Sequence, residues 1–175
     1  MDQIVPANGG FEVSTTRAVY RSRSVLLAIG RRGTPRKLGV PGEEQTKVVY
    51  RLVDAEQYRG QSVLVVGGGD SALEAAASIA EEPGTTVTLS YRTEAFSRAK
   101  LKNRKKVEAA SAADRLAILF KSSVVRIEPK HVEIEQMGQL RSIANDAVII
   151  CAGGILPTGF LKNIGIEIET KYGTA

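Results

Sequence analysis

The stretch Ser62-Val63-Leu64-Val65-Val66-Gly67-Gly68-Gly69-Asp70-Ser71-Ala72-Leu73-Glu74-Ala75-Ala76 decides the fold. Its first five residues form a β-branched apolar run, suited to a strand buried on both faces of a parallel sheet. Three glycines end that strand. From Asp70 to about Glu82 the chain is rich in alanine and other helix formers, which predicts a helix whose first turn Asp70 or Ser71 can cap. Ala72, Leu73, Ala75, Ala76, Ile79 and Ala80 cover most of its circumference, so the helix should bury itself through small side chains. Pro83-Gly84 breaks it, and a second strand is expected over Thr86-Val87-Thr88-Leu89-Ser90. Strand, glycine turn, helix and strand in this order make a βαβ crossover.

The turn itself carries chemistry. Gly67-Gly68-Gly69-Asp70-Ser71-Ala72 has the G-x-G-x-x-A form of a dinucleotide-binding turn. The first glycine permits a tight turn, the second lets the backbone approach a diphosphate, and the final small residue lets helix and strand pack closely. A diphosphate would then lie on the helix N-terminus, where free N–H groups and the dipole favour negative charge. About 20 residues beyond such glycines, an acid would hold a ribose 2′-hydroxyl and an arginine would favour a 2′-phosphate. This chain has Ser90-Tyr91-Arg92-Thr93 there, with no acid before Glu94. Arg92 offers a planar fork suited to phosphate, Ser90 or Thr93 a hydroxyl, and Tyr91 a ring to stack on adenine. NADPH is the expected ligand, with NADH as the alternative.

Outward from this unit, residues 97–114 read as an exposed helix with Leu101, Val107 and alanines for the core, and Ala117-Ile118-Leu119-Phe120 as a third parallel strand. Alternating apolar residues from Ser123 to Ile143, broken by Pro129-Lys130 and Met137-Gly138, predict an antiparallel meander. The run 147–152 is a last strand, closed by Gly153-Gly154. Residues 155–175 carry no complete element in this reading. Upstream, 11–29 read as strands after the turn Asn8-Gly9-Gly10, with Val25 to Ile29 as one apolar run. The glycines and prolines from Gly30 to Gly42 mark a hinge. The expected fold class is α/β, a Rossmann-like three-layer arrangement of helices, central parallel sheet and β-meander.

Composition narrows the function. At 175 residues, 43% hydrophobic and 25% charged, the chain suits one globular domain of ordinary size, or one compact domain with a fragment of a neighbour attached. A single cysteine, Cys151, excludes an intrachain disulfide or a C-x-x-C pair, and a single histidine, His131, argues against a histidine metal site. The net charge of +5 is concentrated in Arg92, Arg98, Lys100, Lys102, Arg104, Lys105 and Lys106, opposed there by Glu94. Three readings of that run stand open: Arg98 and Lys100 helping to hold a 2′-phosphate, a dock for an acidic protein, or a solvated helix face. Nucleic acid is not an expected partner, because no helix-turn-helix or aromatic interleaving accompanies the charge. Neither a membrane span nor a signal-peptide pattern is found, and a reducing cytoplasmic setting is expected.

Four segments in order, LLAIGRRGTPRKLGVPGEE (26–44), YRGQSVLVVGGGDSALEAA (58–76), VTLSYRTEAFSRAK (87–100) and NDAVIICAGGILPTGFL (145–161), resemble the thioredoxin-reductase-like branch of the flavin-dependent pyridine nucleotide-disulfide oxidoreductases. The resemblance implies a nicotinamide-binding domain inserted into an FAD-binding domain through two crossing linkers. The first linker would run from Ala28 through Pro35 to Gly42, and the second from Cys151, Ala152 and Gly153 to Pro157. It places Glu74 near the nicotinamide end and gives Ala152 and Gly153 a part in the site. It also divides the chain into an FAD-domain hairpin and linker (1–43), an NAD(P)H-binding domain (44–152) and the start of the return (153–175). The flavin fingerprint has no counterpart here, so FAD is expected on the remainder of the FAD domain. On its own the chain is expected to bind nucleotide without turnover, with no catalytic side chain. Where thioredoxin reductases carry their redox disulfide this sequence has Tyr50-Arg51-Leu52-Val53, and of the family's His-Arg-Arg stretch only Arg92 transfers. An acidic electron-transfer protein such as a ferredoxin and a second copy of the chain remain candidate partners. The alternative functions are a non-enzymatic nucleotide-binding or protein-docking Rossmann module, or a ferredoxin-linked electron-transfer flavoprotein.

Overall fold

The computed structural model describes residues 3–29 and 34–169. Its contacts group the chain into two units, Met1–Thr34 with Gly154–Ala175, and Pro35–Gly153.

In the first unit β1 (Gln3–Ala7), β2 (Gly10–Ser14) and β3 (Val19–Ser22) form an antiparallel sheet in chain order. Asn8 and Gly9 turn β1 into β2, and Gly9 takes φ +78, a value cheap only for glycine. The strand expected over Val25–Ile29 does not form. These residues pair with no strand among the described ones, and Leu26 is 93% exposed. An apolar run without a ladder partner gains nothing from extended pairing. Of the hinge, Gly30 to Gly33 lie outside the described residues. The two-residue strands β4 (Thr34–Pro35) and β13 (Gly154–Ile155) form a ladder of their own, and the division into units falls on it.

A short helix after β13, Thr158–Asn163, lies where the sequence carries no complete element in the reading above; it is α3, the last of the three α-helices among the described residues. Gly165 ends it at φ +83, with its N–H on the Lys162 carbonyl and that of Ile166 on the Leu161 carbonyl. This is the Schellman ending that a glycine just past a helix signals.

The second unit has the expected three layers. Its sheet contains β5 (Val48–Val49), β6 (Ser62–Val66), β7 (Thr86–Tyr91), β8 (Leu116–Phe120) and β12 (Ala147–Ile150), all parallel, in the order β5-β12-β6-β7-β8. On one face lie α1 (Asp70–Ile79) and α2 (Leu101–Ala112), packed through Val65, Leu73, Ile79, Leu89 and Val107. On the other lies the meander β9 (Ser122–Ile127), β10 (His131–Gln136) and β11 (Gln139–Ala144), where Ile127, Val132 and Ile134 meet Leu64, Val148 and Ile150 of the sheet. Each such fully buried side chain stabilises by ~1.5–3 kcal/mol, so both faces of the sheet are anchored independently. Met137 and Gly138, at φ +52 and +80, make the tight turn from β10 to β11.

Two helix expectations change. Gly69, not Asp70 or Ser71, is the N-cap of α1, and no side chain caps it. The basic helix begins only at Leu101, which is 58% exposed rather than in the core. The inward stripe is Asn103, Val107 and Ala110, at helical spacing. Among the described residues no helix is long and apolar enough to cross a membrane.

Residues 35–43 pack on this second unit. Leu38 and Val40 join its meander-side core, and the Ile127 N–H donates to the Pro41 carbonyl. Glu43 fixes the segment: its buried carboxylate accepts from the Leu38 N–H (2.8 Å), the Gly39 N–H (2.7 Å) and the Tyr50 hydroxyl (3.0 Å). Burial alone would raise its pKa, but these donors together hold it below the ordinary 4.5. A folded-state pKa below the unfolded one means stability that is full above about pH 4.5 and lost as pH falls through the depressed value. Glu43→Gln should therefore unfold more easily than the parent by about 2 kcal/mol at pH 7, with the gap closing below pH ~4 in paired thermal melts.

Candidate functional site

All parallel strands end level with one another: Ile150 of β12 stands beside Val66 of β6, and Val66 beside Ser90 of β7. From β6 the chain proceeds to β7 and β8 on one side, while β12 returns on the other. A reversal of strand order of this kind opens a crevice at the carboxyl ends of the two central strands. Gly67 stands at the end of one, and Cys151, Ala152 and Gly153 at the end of the other.

Each glycine of the turn has its own reason. Gly67 has φ +145, and a Cβ there would lie 2.5 Å from the Cys151 carbonyl oxygen and 3.0 Å from the Ala72 Cβ. The Cys151 N–H in turn donates to the Val66 carbonyl at 2.7 Å, and Gly67 N–H to the Ser90 carbonyl at 3.0 Å, so the turn is bound to both neighbouring strands. A Cβ on Gly68 would overlap the ring of Tyr91. Gly69 has open space around it. Beyond Gly67 the N–H groups of Gly68, Gly69, Asp70 and Ser71 have no acceptor among the described residues, whereas Ala72 and Leu73 both donate to the Gly69 carbonyl. Four consecutive open donors at a helix N-terminus attract an anion.

Asp70 explains why those donors stay open. Its Oδ1 turns to α2, accepting from the Lys100 N–H (2.8 Å) and from Asn103 Nδ2 (2.7 Å). The Lys100 N–H contributes most to holding its carboxyl below the usual range, followed by Asn103. The second hydrogen of the same Asn103 amide reaches Glu74 Oε1 at 2.8 Å.

The predicted cofactor residues do not all face the crevice. Ser90 does not: it is fully buried, its hydroxyl 2.8 Å from that of Ser122, which donates to the Leu119 carbonyl. It can offer nothing to a ribose phosphate. The crossing of β9 beneath β7 places Ser122 there, a contact invisible in local sequence. Tyr91 stacks on Phe96 with centroids 5.6 Å apart, and Phe96 leans on Phe120 at 4.8 Å, so the ring is held over Gly68. Arg92 and Arg98 are exposed and their side chains make no hydrogen bond or ion pair with any described residue, while Glu94 is paired with Lys121 at 3.0 Å. Their loop leaves β7 at Tyr91, whose ring lies against Gly68, and ends at the Lys100 N–H on Asp70, so both ends of the segment that carries the two arginines are tied to the glycine turn and the start of α1. Ala152 is half-buried on the meander-side core, and the Gly153 carbonyl accepts from the Arg36 N–H at 3.0 Å. Cys151 is partly buried and packs on the helix-side core, and burial raises its thiol to about 11. It is no nucleophile at neutral pH.

Local reading missed Asn103 and Glu43. Asn103 shares its helical spacing with Val107 and Ala110, which marks it as inward-facing within a run otherwise composed for solvent.

Residues 1–174 match the family described as pyridine nucleotide-disulphide oxidoreductase. The chain belongs to that family. The pyridine nucleotide-disulphide oxidoreductases it is similar to include a ferredoxin–NADP reductase of Thermus thermophilus, 31% identical over 91% of this chain and 50% of the relative. A second is the bacilliredoxin reductase Bdr of Bacillus subtilis, 29% identical over 95% of this chain and 52% of that one. Among solved structures, the bacillithiol disulfide reductase Bdr (YpdA) from Staphylococcus aureus superimposes with a TM-score of 0.84 at 29% identity, covering 97% of this chain and 52% of that protein. The chain spans about half the length of the curated relatives it matches.

Proposed function

We propose that this chain is the nicotinamide-dinucleotide-binding part of a flavin-dependent oxidoreductase, with 44–152 as the binding domain, 35–43 as the linker packed on it, and 1–34 and 153–175 as pieces of the flavin side. The observation that carries the reading is the row of open N–H groups from Gly68 to Ser71, flanked by the unpartnered Arg92 and Arg98. A diphosphate fits those donors, and the two guanidinium groups favour the 2′-phosphate of NADPH over the 2′-hydroxyl of NADH.

The nicotinamide would supply a hydride and the flavin would accept it. This chain's residues bind and orient: Gly67 and Gly68 shape the turn, Tyr91 offers its ring beside the turn, and Ala152 and Gly153 border the nicotinamide end, whereas the Glu74 carboxylate is turned to Asn103 of α2. Among the described helices only α1 opens from a glycine turn, so FAD is assigned to the remainder of the protein. A cytoplasmic setting suits the single, partly buried thiol.

Isothermal titration of this chain with NADPH and NADH tests the reading. NADPH should bind at least tenfold more tightly; silence with both nucleotides would overturn it. The similarity to ferredoxin–NADP reductases favours a small acidic electron carrier as the final acceptor, with the exposed Lys102, Lys105 and Lys106 offering a complementary face.

A further inference from the structure

We propose that Asn103 is a positioning residue of the nucleotide cradle: its buried amide holds the Asp70 and Glu74 carboxylates against the start of α2, away from the N–H groups that a diphosphate would occupy. The inference rests on the cradle reading above and names the residue that keeps that cradle vacant.

Asp70 is the first residue of α1, one past the Gly69 N-cap, where the dipole and the free N–H groups of the helix N-terminus attract a carboxylate. In that position it would compete with a phosphate as acceptor and repel it as an anion. Glu74 stands four residues on, on the same helix face, and two like charges at this spacing repel each other. Both problems have one solution here. Asn103 is 2% exposed, and its single Nδ2 donates one hydrogen to Asp70 (2.7 Å) and the other to Glu74 (2.8 Å). The Lys100 N–H adds a second donor to Asp70. Only an amide at position 103 does this without bringing charge: aspartate would add a third carboxylate, and an aliphatic residue would leave both acids without a buried partner. The Asn103 side chain thus joins the basic helix to the glycine-turn helix at the point where the nucleotide would bind.

The test is a double-mutant cycle read by isothermal titration with NADPH. Asn103→Ala should weaken binding roughly tenfold, the size expected for losing a hydrogen bond to a charged group. Asp70→Ala added to Asn103→Ala removes the freed carboxylate and should restore affinity to within about threefold of the parent, although thermal melts of the double variant stay below the parent. A purely structural role for Asn103 gives no such rescue. Parent-like NADPH affinity in Asn103→Ala, or a loss that Asp70→Ala leaves uncorrected, overturns the assignment of Asn103 while leaving the cradle standing. Absence of binding by the parent overturns both.

Discussion

Gly67→Ala is expected to lower the melting temperature by roughly 10 °C. The new Cβ meets the Cys151 carbonyl oxygen at 2.5 Å, and the backbone there sits at φ +145, where side chains are rarely tolerated. Backbone strain of ~1–3 kcal/mol adds to overpacking of ~1–3 kcal/mol. Relaxation is blocked because Cys151 is tied to Val66 through its N–H and continues β12. Gly69→Ala is the control. It has φ −95 and open space about it, and should melt within about 2 °C of the parent. Differential scanning calorimetry of the two variants side by side separates steric need from a general preference for glycine; equal losses would show that the packing at Cys151 decides nothing.

Arg92→Ala should weaken NADPH binding ten- to hundredfold and leave NADH within about twofold, because a charge-assisted bond contributes ~1.5–3 kcal/mol and only NADPH carries the phosphate to make it. Arg92 is already free of any acid among the described residues, so binding would break no existing ion pair. The difference between the two nucleotides should shrink as salt is raised, since an exposed guanidinium is screened. Arg98→Ala should act in the same direction to a lesser degree. Equal losses for both nucleotides would end the assignment of Arg92 to the 2′-phosphate.

The second unit was legible in the sequence wherever burial is two-sided. Ser62–Val66 and Ala147–Ile150 are near-continuous apolar runs because helices cover one face of the sheet and the meander the other. The glycine turn was legible because sterics permit no other residue at Gly67. What local pattern could not supply were the contacts made by distant segments. Ser90 reads as a hydroxyl at a strand end until β9 places Ser122 against it. Asp70 reads as a cap until α2 claims its carboxylate. Val25–Ile29 reads as a strand by composition, yet composition provides no neighbouring strand. In the site, Gly67 to Ser71, Arg92 and Arg98 stood out by residue type, whereas the placement of the Tyr91 ring over Gly68 depends on Phe96 and Phe120, which local spacing does not connect to the turn.

The closeness of Gly67 to the Cys151 carbonyl also bears on where this polypeptide can be cut. The exit from β12 forms one wall of the turn, and Gly153 is bridged to Arg36 on the incoming segment. A minimal recombinant version therefore needs both chain crossings, from Pro35 to Gly153, and a tag or fusion joined ahead of Cys151 would remove a wall of the very pocket it was meant to display.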